Sequence, residues 1–457
     1  VIVHYLSTRN NELKESFLNV LFQGLSKEGG LFLPSAWPSI SIENLRGKNY
    51  QEIAHAVISP FVQEDISDED LVLIVNKTYQ SFNPKSIAPL VNIEKNKYIL
   101  ELFYGPTLAF KDYALQFLGN LFSHVLENSN RKITVLGATS GDTGSAAINA
   151  FKGKNDIQVF ILHPHQMVSE VQRRQMTTVG EKNVHNIALK GTFDDCQKIV
   201  KKLFLDDELQ SKTSLTAVNS INWARLIAQA VYYFWAYIQS NQEKVNFIVP
   251  SGNFGNVFSA RIAKFMGLPI DHLHIATNEN DILHRTISEG RMRINNVKKT
   301  HSPSMDIQVS SNFERQLFES AKRDSDMVQK IMQSFAETGE QVLSDQIVQD
   351  MQLIYTTHSV SNSQTLETIK YYNEHYDYLA DPHTATGLYV LERMSNEQPA
   401  ISLACADPGK FGNAIKEATG NLPHFRPELE NIFDQDEKMT ILDNDTDLIK
   451  SHILELI

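Results

Sequence analysis

The chain has 457 residues, of which 42% are apolar, so it can bury a sizeable core, and its length favours two or three domains. Its net charge of −12 and the absence of a long basic run argue against nucleic acid or an anionic membrane as a main partner. The two cysteines, Cys196 and Cys405, lie far apart in the sequence, which favours a reducing compartment; we expect the cytoplasm. The most apolar stretch, 228–238, is too short to span a bilayer.

Residues 1–97 are expected to form a mainly helical N-terminal domain. An amphipathic helix is predicted around Phe17 and Leu21, whose spacing places apolar side chains on one face. Further along, Ser67 followed by Asp70 is a capping pattern that predicts the start of another helix. This part of the chain shows no evident catalytic chemistry.

The pattern changes at about residue 98, where short apolar runs begin to alternate with helical stretches. Such alternation is typical of an α/β domain with parallel sheets covered on both faces, here 98–457. A smaller lobe is expected at about 123–216, and the remainder forms a larger lobe. Residues 310–395 are expected to be mostly helical, and the tail after about 425 to form short surface helices. The expected strands are 99–103, 133–136, 157–162, 184–189, 245–249, 273–276 and 400–403.

Lys111 is the candidate catalytic residue. It lies in the stretch GPTLAFKDY, 105–113, where a turn separates the strand 99–103 from a helix predicted over 108–122. A lysine in the first turn faces the positive end of the helix dipole, which lowers the pKa of its amine and favours a nucleophile. A solvated surface lysine is the alternative interpretation.

Two Gly-containing loops follow predicted strands, where ligands of α/β sheets bind. The loop ATSGDTG, 138–144, opens a helix, and its amides and hydroxyls suit a carboxylate or phosphate, although a plain capping turn is equally compatible. The loop PSGNFGN, 250–256, has two glycines that allow close backbone approach to a phosphate. It lacks the GK[ST] and GxGxxG patterns, so a monophosphate is favoured over a nucleotide.

Two further segments complete the set. The segment NSINWAR, 219–225, offers hydrogen-bond donors and a guanidinium suited to phosphate or carboxylate, although a capped helix with an exposed arginine explains it too. The loop 405–411 begins with Cys405. Its thiol could act as a donor towards the edge of a ligand's ring, or it could be a buried structural thiol. Two anion sites, a lysine and a donor together favour pyridoxal phosphate and an anionic substrate.

Taken together, these motifs resemble the threonine synthase family in its longer form with an added N-terminal domain. The resemblance implies the tryptophan-synthase-β-like fold, fold type II of the pyridoxal-phosphate enzymes, with two parallel-sheet α/β lobes. It extends over nearly the whole chain, and the motifs stand in the family's order. The matching stretches are STR at 7–9, EGGLFLP at 28–34, ELFYGPTLAFKD at 101–112, ATSGDTG at 138–144, NSINWAR at 219–225, PSGNFGN at 250–256 and DPHTATG at 381–387.

The resemblance implies a carbon–oxygen lyase that converts O-phospho-L-homoserine and water to L-threonine and phosphate, by γ-elimination and β-addition of water. The implied partner is this small molecule, with a monomer or homodimer as the assembly. Implied cofactor contacts are Lys111, Phe110, Asp142, Gly252, Asn253, Phe254, Gly255, Asn256 and Cys405. Implied substrate contacts are Thr139, Ser140, Asp142, Thr143, Asn219, Ser220 and Arg225.

The C-terminal loop departs from the family pattern TAHPAKF, because it reads CADPGKF at 405–411. A thiol at Cys405 replaces the expected hydroxyl and is a weaker donor, and Asp407 replaces a histidine. If Asp407 reached the cofactor's ring nitrogen, it would protonate that nitrogen, strengthen the electron sink and alter the partition between replacement and plain elimination. A phospho-lyase that releases 2-oxobutyrate is therefore one alternative function.

The other alternative is a catalytically inactive binding protein, against which the joint presence of Lys111, Asn253 and Arg225 argues. A nucleotide-binding Rossmann protein is disfavoured because the dinucleotide fingerprint is missing. Metal catalysis is not expected, since the sequence has no HExxH motif and no Cys/His cluster.

Overall fold

The computed structural model describes residues 3–83, 86–127, 129 and 131–457. Its strands are β1 (Tyr5–Ser7), β2 (Asn10–Glu15), β3 (Phe32–Pro34), β4 (Leu90–Glu94), β5 (Lys97–Glu101), β6 (Ile133–Ala138), β7 (Ile157–Pro164), β8 (Val184–Lys190), β9 (Ser214–Thr216), β10 (Val245–Pro250), β11 (Ile270–Thr277), β12 (Arg291–Arg293), β13 (Glu340–Val342), β14 (Tyr355–Ser359), β15 (Ala400–Ala404) and β16 (Thr440–Asp443). Its α-helices are α1 (Phe17–Gln23), α2 (Tyr50–Val62), α3 (Asp68–Tyr79), α4 (Lys111–Glu127), α5 (Asp142–Phe151), α6 (Glu170–Thr177), α7 (Phe193–Phe204), α8 (Asp207–Lys212), α9 (Trp223–Ser240), α10 (Gly255–Phe265), α11 (Ile282–Glu289), α12 (Phe313–Ser320), α13 (Ser325–Thr338), α14 (Asp345–Gln352), α15 (Asn362–Tyr376), α16 (Pro382–Glu392), α17 (Gly412–Thr419), α18 (Pro427–Glu430) and α19 (Thr446–Leu454).

Residues 3–83, which we call the N-terminal segment, combine helices α1 to α3 with a small antiparallel sheet in the order β2-β1-β3. The Ser67 side chain accepts a hydrogen bond from the Asp70 amide, so the predicted cap of α3 is confirmed. The segment packs against α9, since the Tyr5 ring meets the Trp223 ring edge-on with centroids 5.9 Å apart. The segment is thereby anchored to the centre of the molecule.

The larger sheet has the strand order β14-β11-β10-β15-β5-β4. Its strands are parallel except β4, which runs antiparallel to β5. Every residue of β10 and β15 is buried, because helices cover both faces of the sheet. The carboxyl ends of β5, β15 and β10 consequently lie side by side at one edge, where ligands of open α/β sheets bind.

The second sheet has the order β16-β8-β7-β6-β9 and is parallel throughout. Helix α5, which follows β6, packs against α4, the helix that follows β5 of the larger sheet. The loop between β6 and α5 is thereby brought towards Lys111. The two parallel sheets confirm the predicted α/β architecture.

The structure differs from the sequence expectations at several elements, including the short strands β4, β12 and β13, which were not expected. The strand β14 lies inside the region expected to be mostly helical, and β16 lies in the tail expected to form only short helices. Both are short edge strands, and neither Tyr-Thr-Thr-His-Ser nor Thr-Ile-Leu-Asp is the continuous apolar run that marks a central strand. The helix expected from Leu108 begins instead at Lys111, since Leu108 has a φ of +59°. Within the described ranges, no helix has both the length and the apolarity that crossing a bilayer requires.

Candidate active site

The turn before Lys111 is built on a close approach between Gly105 and Asp112. A Cβ at Gly105 would lie 2.5 Å from the Asp112 Cβ, so only glycine fits. The Asp112 carboxylate accepts hydrogen bonds from the Thr107 amide at 2.8 Å and the Thr107 hydroxyl at 2.6 Å. Burial raises the pKa of Asp112 to about 6, against the lowering effect of these bonds. This arrangement fixes the chain entering α4.

The residues just before Lys111 are joined to the loop that follows β15. The Phe110 amide donates to the Cys405 carbonyl at 2.8 Å, and the Asp407 amide donates to the Leu108 carbonyl at 3.0 Å. These two bonds form a short antiparallel pairing between chain segments about 300 positions apart. Lys111 and Cys405, identified separately in the sequence, are thereby brought to the same place.

Lys111 is the first residue of α4 and its side chain is almost fully buried, with 9% of the residue exposed. Burial lowers the pKa of Lys111 to about 8; the Asp142 carboxylate opposes this, and the charges of Arg225 and Lys410 add to it. Its Nζ lies 5.9 Å from the centroid of the Phe110 ring. The amine therefore exists in both protonation states near neutral pH, as a nucleophile or proton carrier requires.

Asp142 begins α5 and faces two buried donors. Its Oδ1 lies 2.7 Å from the Lys410 Nζ and accepts a hydrogen bond from the Gln172 side-chain amide at 3.0 Å. Lys410 also donates to the Thr107 carbonyl at 2.9 Å. Burial alone would raise the pKa of Asp142, but the nearby charges of Lys410 and Lys111 hold it well below its usual range. Asp142 is thus a permanently charged carboxylate beside the candidate lysine.

The rest of the loop between β6 and α5 is ordered by Thr139. Its hydroxyl oxygen accepts hydrogen bonds from the Gly141 amide at 3.0 Å and the Gly144 amide at 2.8 Å. Gly141 has a φ of +143°, and a Cβ there would lie 2.5 Å from Gln172. Ser140 and Thr143 are half-buried on the same loop. The loop keeps the compact form that an anion site at a helix N-terminus needs.

The loop 251–254 joins β10 to α10 in a similar way. Phe254 is left-handed, with a φ of +66°, and the Gly255 amide donates to the Asn253 side-chain oxygen at 3.0 Å. A Cβ at Gly252 would lie 3.1 Å from the Met305 Cα. The Asn256 side-chain oxygen accepts hydrogen bonds from the Tyr232 and Tyr233 hydroxyls. The predicted phosphate loop is therefore a tight turn at a helix start.

The candidate residues of the segment 219–225 differ from one another in burial. Arg225 is buried and donates from Nη1 to the Val218 carbonyl at 2.8 Å, and burial lowers its pKa to about 10. Ser220 is half-buried and accepts a hydrogen bond from the Asn312 side-chain amide at 3.0 Å. Asn219 is exposed. The positive charge of Arg225 also contributes to lowering the pKa of Lys111.

The loop 405–411 is held by α16. The Cys405 amide donates to the Thr384 hydroxyl at 2.8 Å, and Thr384 in turn donates to the buried Asp381 carboxylate. Burial raises the pKa of the Cys405 thiol well above its usual value, so the thiol is neutral. Asp407 accepts from the Gly409 amide at 2.8 Å and pairs with the Arg426 Nε at 2.7 Å. Asp407 therefore serves to cap the 3₁₀ turn Pro408–Phe411 and to anchor Arg426.

Several buried polar atoms of these loops have no partner among the described residues. They are the Arg225 Nε, the Ser251 Oγ and the Asn256 Nδ2. Unpaired buried donors cost about 1–3 kcal/mol each, and a polar ligand beside them would supply the missing partners. With the buried Lys111 and the glycine-dependent turn at Gly252, these donors fit pyridoxal phosphate and a phosphorylated substrate.

Lys410 and Gln172, both bonded to Asp142, were not among the site residues expected from the sequence. Lys410 stands in the quoted CADPGKF stretch, and its position three residues after Asp407 in a strand-end loop was the available signal. Gln172 lies in α6, outside every motif, and no sequence signal points to it. Asp381 and Thr384 were within a quoted motif, but their link to Cys405 depends on the fold. In the part of the chain that the structure describes, no group of three or more metal-ligating side chains is placed to hold an ion.

Family models match the chain in three consecutive stretches. The model described as Threonine synthase N terminus matches residues 4–79, and the model described as Pyridoxal-phosphate dependent enzyme matches residues 88–360. The model described as Threonine synthase, C-terminal, matches residues 384–453. The second of these alone covers more than half of the chain.

Full-length relatives agree with these matches. A threonine synthase of Pseudomonas aeruginosa is 43% identical, over 99% of this chain and 98% of its own. A solved threonine synthase of Brucella melitensis with bound pyridoxal phosphate is 42% identical, covers 99% of both chains and superposes with a TM-score of 0.96. A solved yeast enzyme is 39% identical, covers 100% of this chain and 98% of its own, and has a TM-score of 0.95. These likenesses support threonine synthase function with pyridoxal phosphate as cofactor, and the chain belongs to the threonine synthase family.

Proposed function

We propose that this protein converts O-phospho-L-homoserine and water to L-threonine and inorganic phosphate. The observation that carries the proposal is the buried Lys111 amine beside the Asp142–Lys410 pair, together with the buried Arg225, whose Nε has no partner among the described residues. This reaction requires three groups within one site: a base, a carboxylate whose charge is balanced by a cation, and a donor that binds phosphate.

The residues that would hold the cofactor come from three strand ends. Lys111 would bind it covalently, with Phe110 beside it, and Gly252, Asn253, Phe254, Gly255 and Asn256 would surround its phosphate. Cys405 would face its ring nitrogen as a neutral thiol, and Asp142 would face its phenolic oxygen. Bound pyridoxal phosphate supplies the electron sink that makes the substrate's Cα and Cβ protons acidic.

Lys111 would then move the protons. Once the substrate's amine has displaced Lys111 from the cofactor, the freed amine, with a pKa of about 8, would accept the proton from Cα and then one from Cβ. It would give protons back at Cγ, where phosphate has left, and at Cα as the product forms. The buried surroundings exclude bulk water from the amine and preserve this balance. Water adds at Cβ after phosphate has left from Cγ.

The substrate's two anionic ends would be bound by different loops. Arg225, with Asn219, Ser220 and Thr143, would hold the leaving phosphate and stabilise its charge. Thr139 and Ser140, together with the amides at the start of α5, would hold the carboxylate. Lys410 neutralises Asp142, which would otherwise repel that carboxylate.

Release of 2-oxobutyrate is disfavoured by the surroundings of Asp407. Its carboxylate accepts from Gly409 and pairs with Arg426, and Arg426 is itself stacked over the Tyr104 ring with 4.7 Å to the centroid. An aspartate used in this way has a structural role that does not require contact with a cofactor. The departure from the family histidine is then compatible with threonine synthesis.

The wider setting forms part of the same proposal. The division into a domain 1–97 and a catalytic domain 98–457, with a small lobe at about 123–216, follows the sequence analysis. We expect a cytoplasmic enzyme, as a monomer or homodimer, that acts on a small molecule without nucleic acid or membrane. Both cysteines are buried and unpaired, which suits a reducing compartment.

The test is phosphate release from O-phospho-L-homoserine by the protein with pyridoxal phosphate, compared with its Lys111→Ala variant. The wild type should release phosphate, and the variant should keep its fold but lose both turnover and covalently bound cofactor. Turnover retained in the variant would overturn the role of Lys111. Absence of phosphate release by the wild type would overturn the proposed reaction.

A further inference from the structure

Arg315, in the first turns of α12, is completely buried and belongs to none of the motifs described above. Its guanidinium donates to three separate parts of the chain. Nε donates to the Phe32 carbonyl at 3.0 Å, Nη2 to the Ile221 carbonyl at 2.7 Å, and Nη1 to the Asn312 side-chain oxygen. One side chain therefore joins the N-terminal segment, the segment 219–222 and the start of α12.

Asn312 extends these connections to the two phosphate-binding candidates. Its side-chain amide donates to the Ser220 hydroxyl at 3.0 Å, and its backbone amide donates to the Asn253 carbonyl at 2.9 Å. A Cβ at Gly255 would also lie 3.2 Å from the Asn312 Nδ2. The orientation of Asn312, set by Arg315, is thus transmitted to both loops.

Other bonds run from the N-terminal segment to the same region. The Asn222 side-chain amide donates to the Leu21 carbonyl at 3.0 Å. Glu314, next to Arg315, accepts from the Thr8 hydroxyl at 2.6 Å and pairs with Arg9 at 2.9 Å. The N-terminal segment therefore supports the segment 219–222 from two sides.

The chemistry of the guanidinium makes this connection geometrically strict. Its donors lie in one rigid plane, so three acceptors can be satisfied together only if their chain segments keep one relative position. Burial opposes the charge and lowers the pKa of Arg315 to about 9, so losing any of the three bonds is costly. A displacement of Phe32 would have to be followed by Ile221 or leave a donor unpaired.

We propose that Arg315 is a positioning residue, through which the N-terminal segment sets the placement of the segment 219–222 and hence the binding of the substrate phosphate. The expected effect on substrate binding rests on the proposed function, whereas the coupling between the N-terminal segment and the segment 219–222 does not depend on that function. In this proposal, the N-terminal segment orders the substrate-phosphate site through Arg315, although the segment lies outside that site.

The test compares Arg315→Lys and Arg315→Met with the wild type, each saturated with pyridoxal phosphate. Backbone hydrogen exchange should become faster in 219–225 by about tenfold, because the Ile221 carbonyl and Asn312 lose their fixed donor. The KM for O-phospho-L-homoserine and the inhibition constant of inorganic phosphate should both rise by about tenfold, or about 1.4 kcal/mol. The value of kcat should change less than KM, since Lys111 is not contacted. The lysine keeps the charge but not the planar fork, so it should not restore phosphate binding.

Arg323→Lys is the matched control. Arg323 follows α12, is half-buried where Arg315 is fully buried, and donates to the Pro34 and Ser35 carbonyls of the N-terminal segment. Among the described residues, its side-chain hydrogen bonds reach neither phosphate-binding candidate. It should lower stability without changing exchange in 219–225 or the KM. Unchanged exchange in the Arg315→Lys variant, or an equal effect in both lysine variants, would overturn the coupling. Faster exchange with an unchanged phosphate inhibition constant would overturn the positioning role. If the wild type released no phosphate, the proposed reaction would fail while the exchange data still decided the coupling.

Discussion

The Lys410 Nζ lies 2.7 Å from the Asp142 Oδ1, and both side chains are buried beside Lys111. The pair forms between the loop after β15 and the first residue of α5, so it joins the two sheets at the candidate site. It also gives Lys111 one negative and one positive neighbour. The balance of these two charges is part of what sets the amine's pKa.

Breaking this pair should be strongly destabilising. Lys410→Met leaves the Asp142 charge buried without its main partner, and Asp142→Asn leaves the Lys410 charge buried, so each should cost about 3–5 kcal/mol of unfolding free energy. The double variant should cost less than the sum of the singles, since no unpaired charge remains. Urea unfolding of all four proteins measures this, and additive losses would show that the pair is not coupled.

Gly105→Ala should disturb the turn that leads to Lys111. The new Cβ would lie 2.5 Å from the Asp112 Cβ, and the forced shift should cost about 1–3 kcal/mol of unfolding free energy. We also expect weaker retention of pyridoxal phosphate in dialysis. Gly412→Ala is the control, because the nearest atom to its new Cβ is at 3.5 Å, an ordinary contact. Equal stability of the two variants would contradict this account of the turn.

Arg225→Lys should weaken phosphate binding. The substitution keeps a positive charge but removes the Nε donor that has no partner among the described residues. The KM for O-phospho-L-homoserine should rise by about tenfold, with a smaller effect on cofactor absorbance. Arg261→Lys is the control, since its Nε is also buried and unpaired but its guanidinium stacks on Phe265 with 3.9 Å to the centroid. An unchanged KM for the first variant would remove Arg225 from the substrate site.

Stability should fall on acidification because of His274, a half-buried histidine on β11. Burial lowers the pKa of His274 to about 4, and the neighbouring His358 and His272 charges add to this. The unfolded chain titrates near 6.5, so below that pH the unfolded state binds a proton that the native state does not. Stability from this group is fully present above pH 6.5 and is lost as the pH falls towards 4, by at most about 1.4 kcal/mol per pH unit.

The His274→Asn variant lacks this titration. Its unfolding free energy should therefore depend less steeply on pH between 6.5 and 4 than that of the wild type. Urea unfolding at several pH values gives the comparison. Parallel curves for the two proteins would show that His274 is not the group responsible.

The sequence predicted the central strands well, because buried parallel strands such as β10 are continuous apolar runs bounded by glycine-containing loops. The strand β14 was not predicted, because its sequence Tyr-Thr-Thr-His-Ser has no such run. It is a strand because it pairs with β11. The predicted α4 also extended too far towards its N-terminus. The positive φ of Leu108 is set by pairing with a segment about 300 residues later, which local patterns do not contain.

Candidate site residues could be predicted where the sequence concentrates them in short motifs. Lys111 was predicted from its own strand–turn–helix context and the loop 250–256 from its two glycines, and as site residues both stay predictions. Arg315 and Gln172 were not found, because each acts through contacts with distant segments and sits in an ordinary helical pattern. The structural role of Asp407 was not predictable either, because it depends on an ion pair with Arg426 that no sequence spacing indicates.

Threonine is the product expected of this site. The most direct measurement is to supply O-phospho-L-homoserine to the holoenzyme and to quantify phosphate, threonine and 2-oxobutyrate in the same samples over time. We predict threonine and phosphate in equal amounts, with 2-oxobutyrate at background. Phosphate accompanied by 2-oxobutyrate and little threonine would contradict the account and would identify a phospho-lyase.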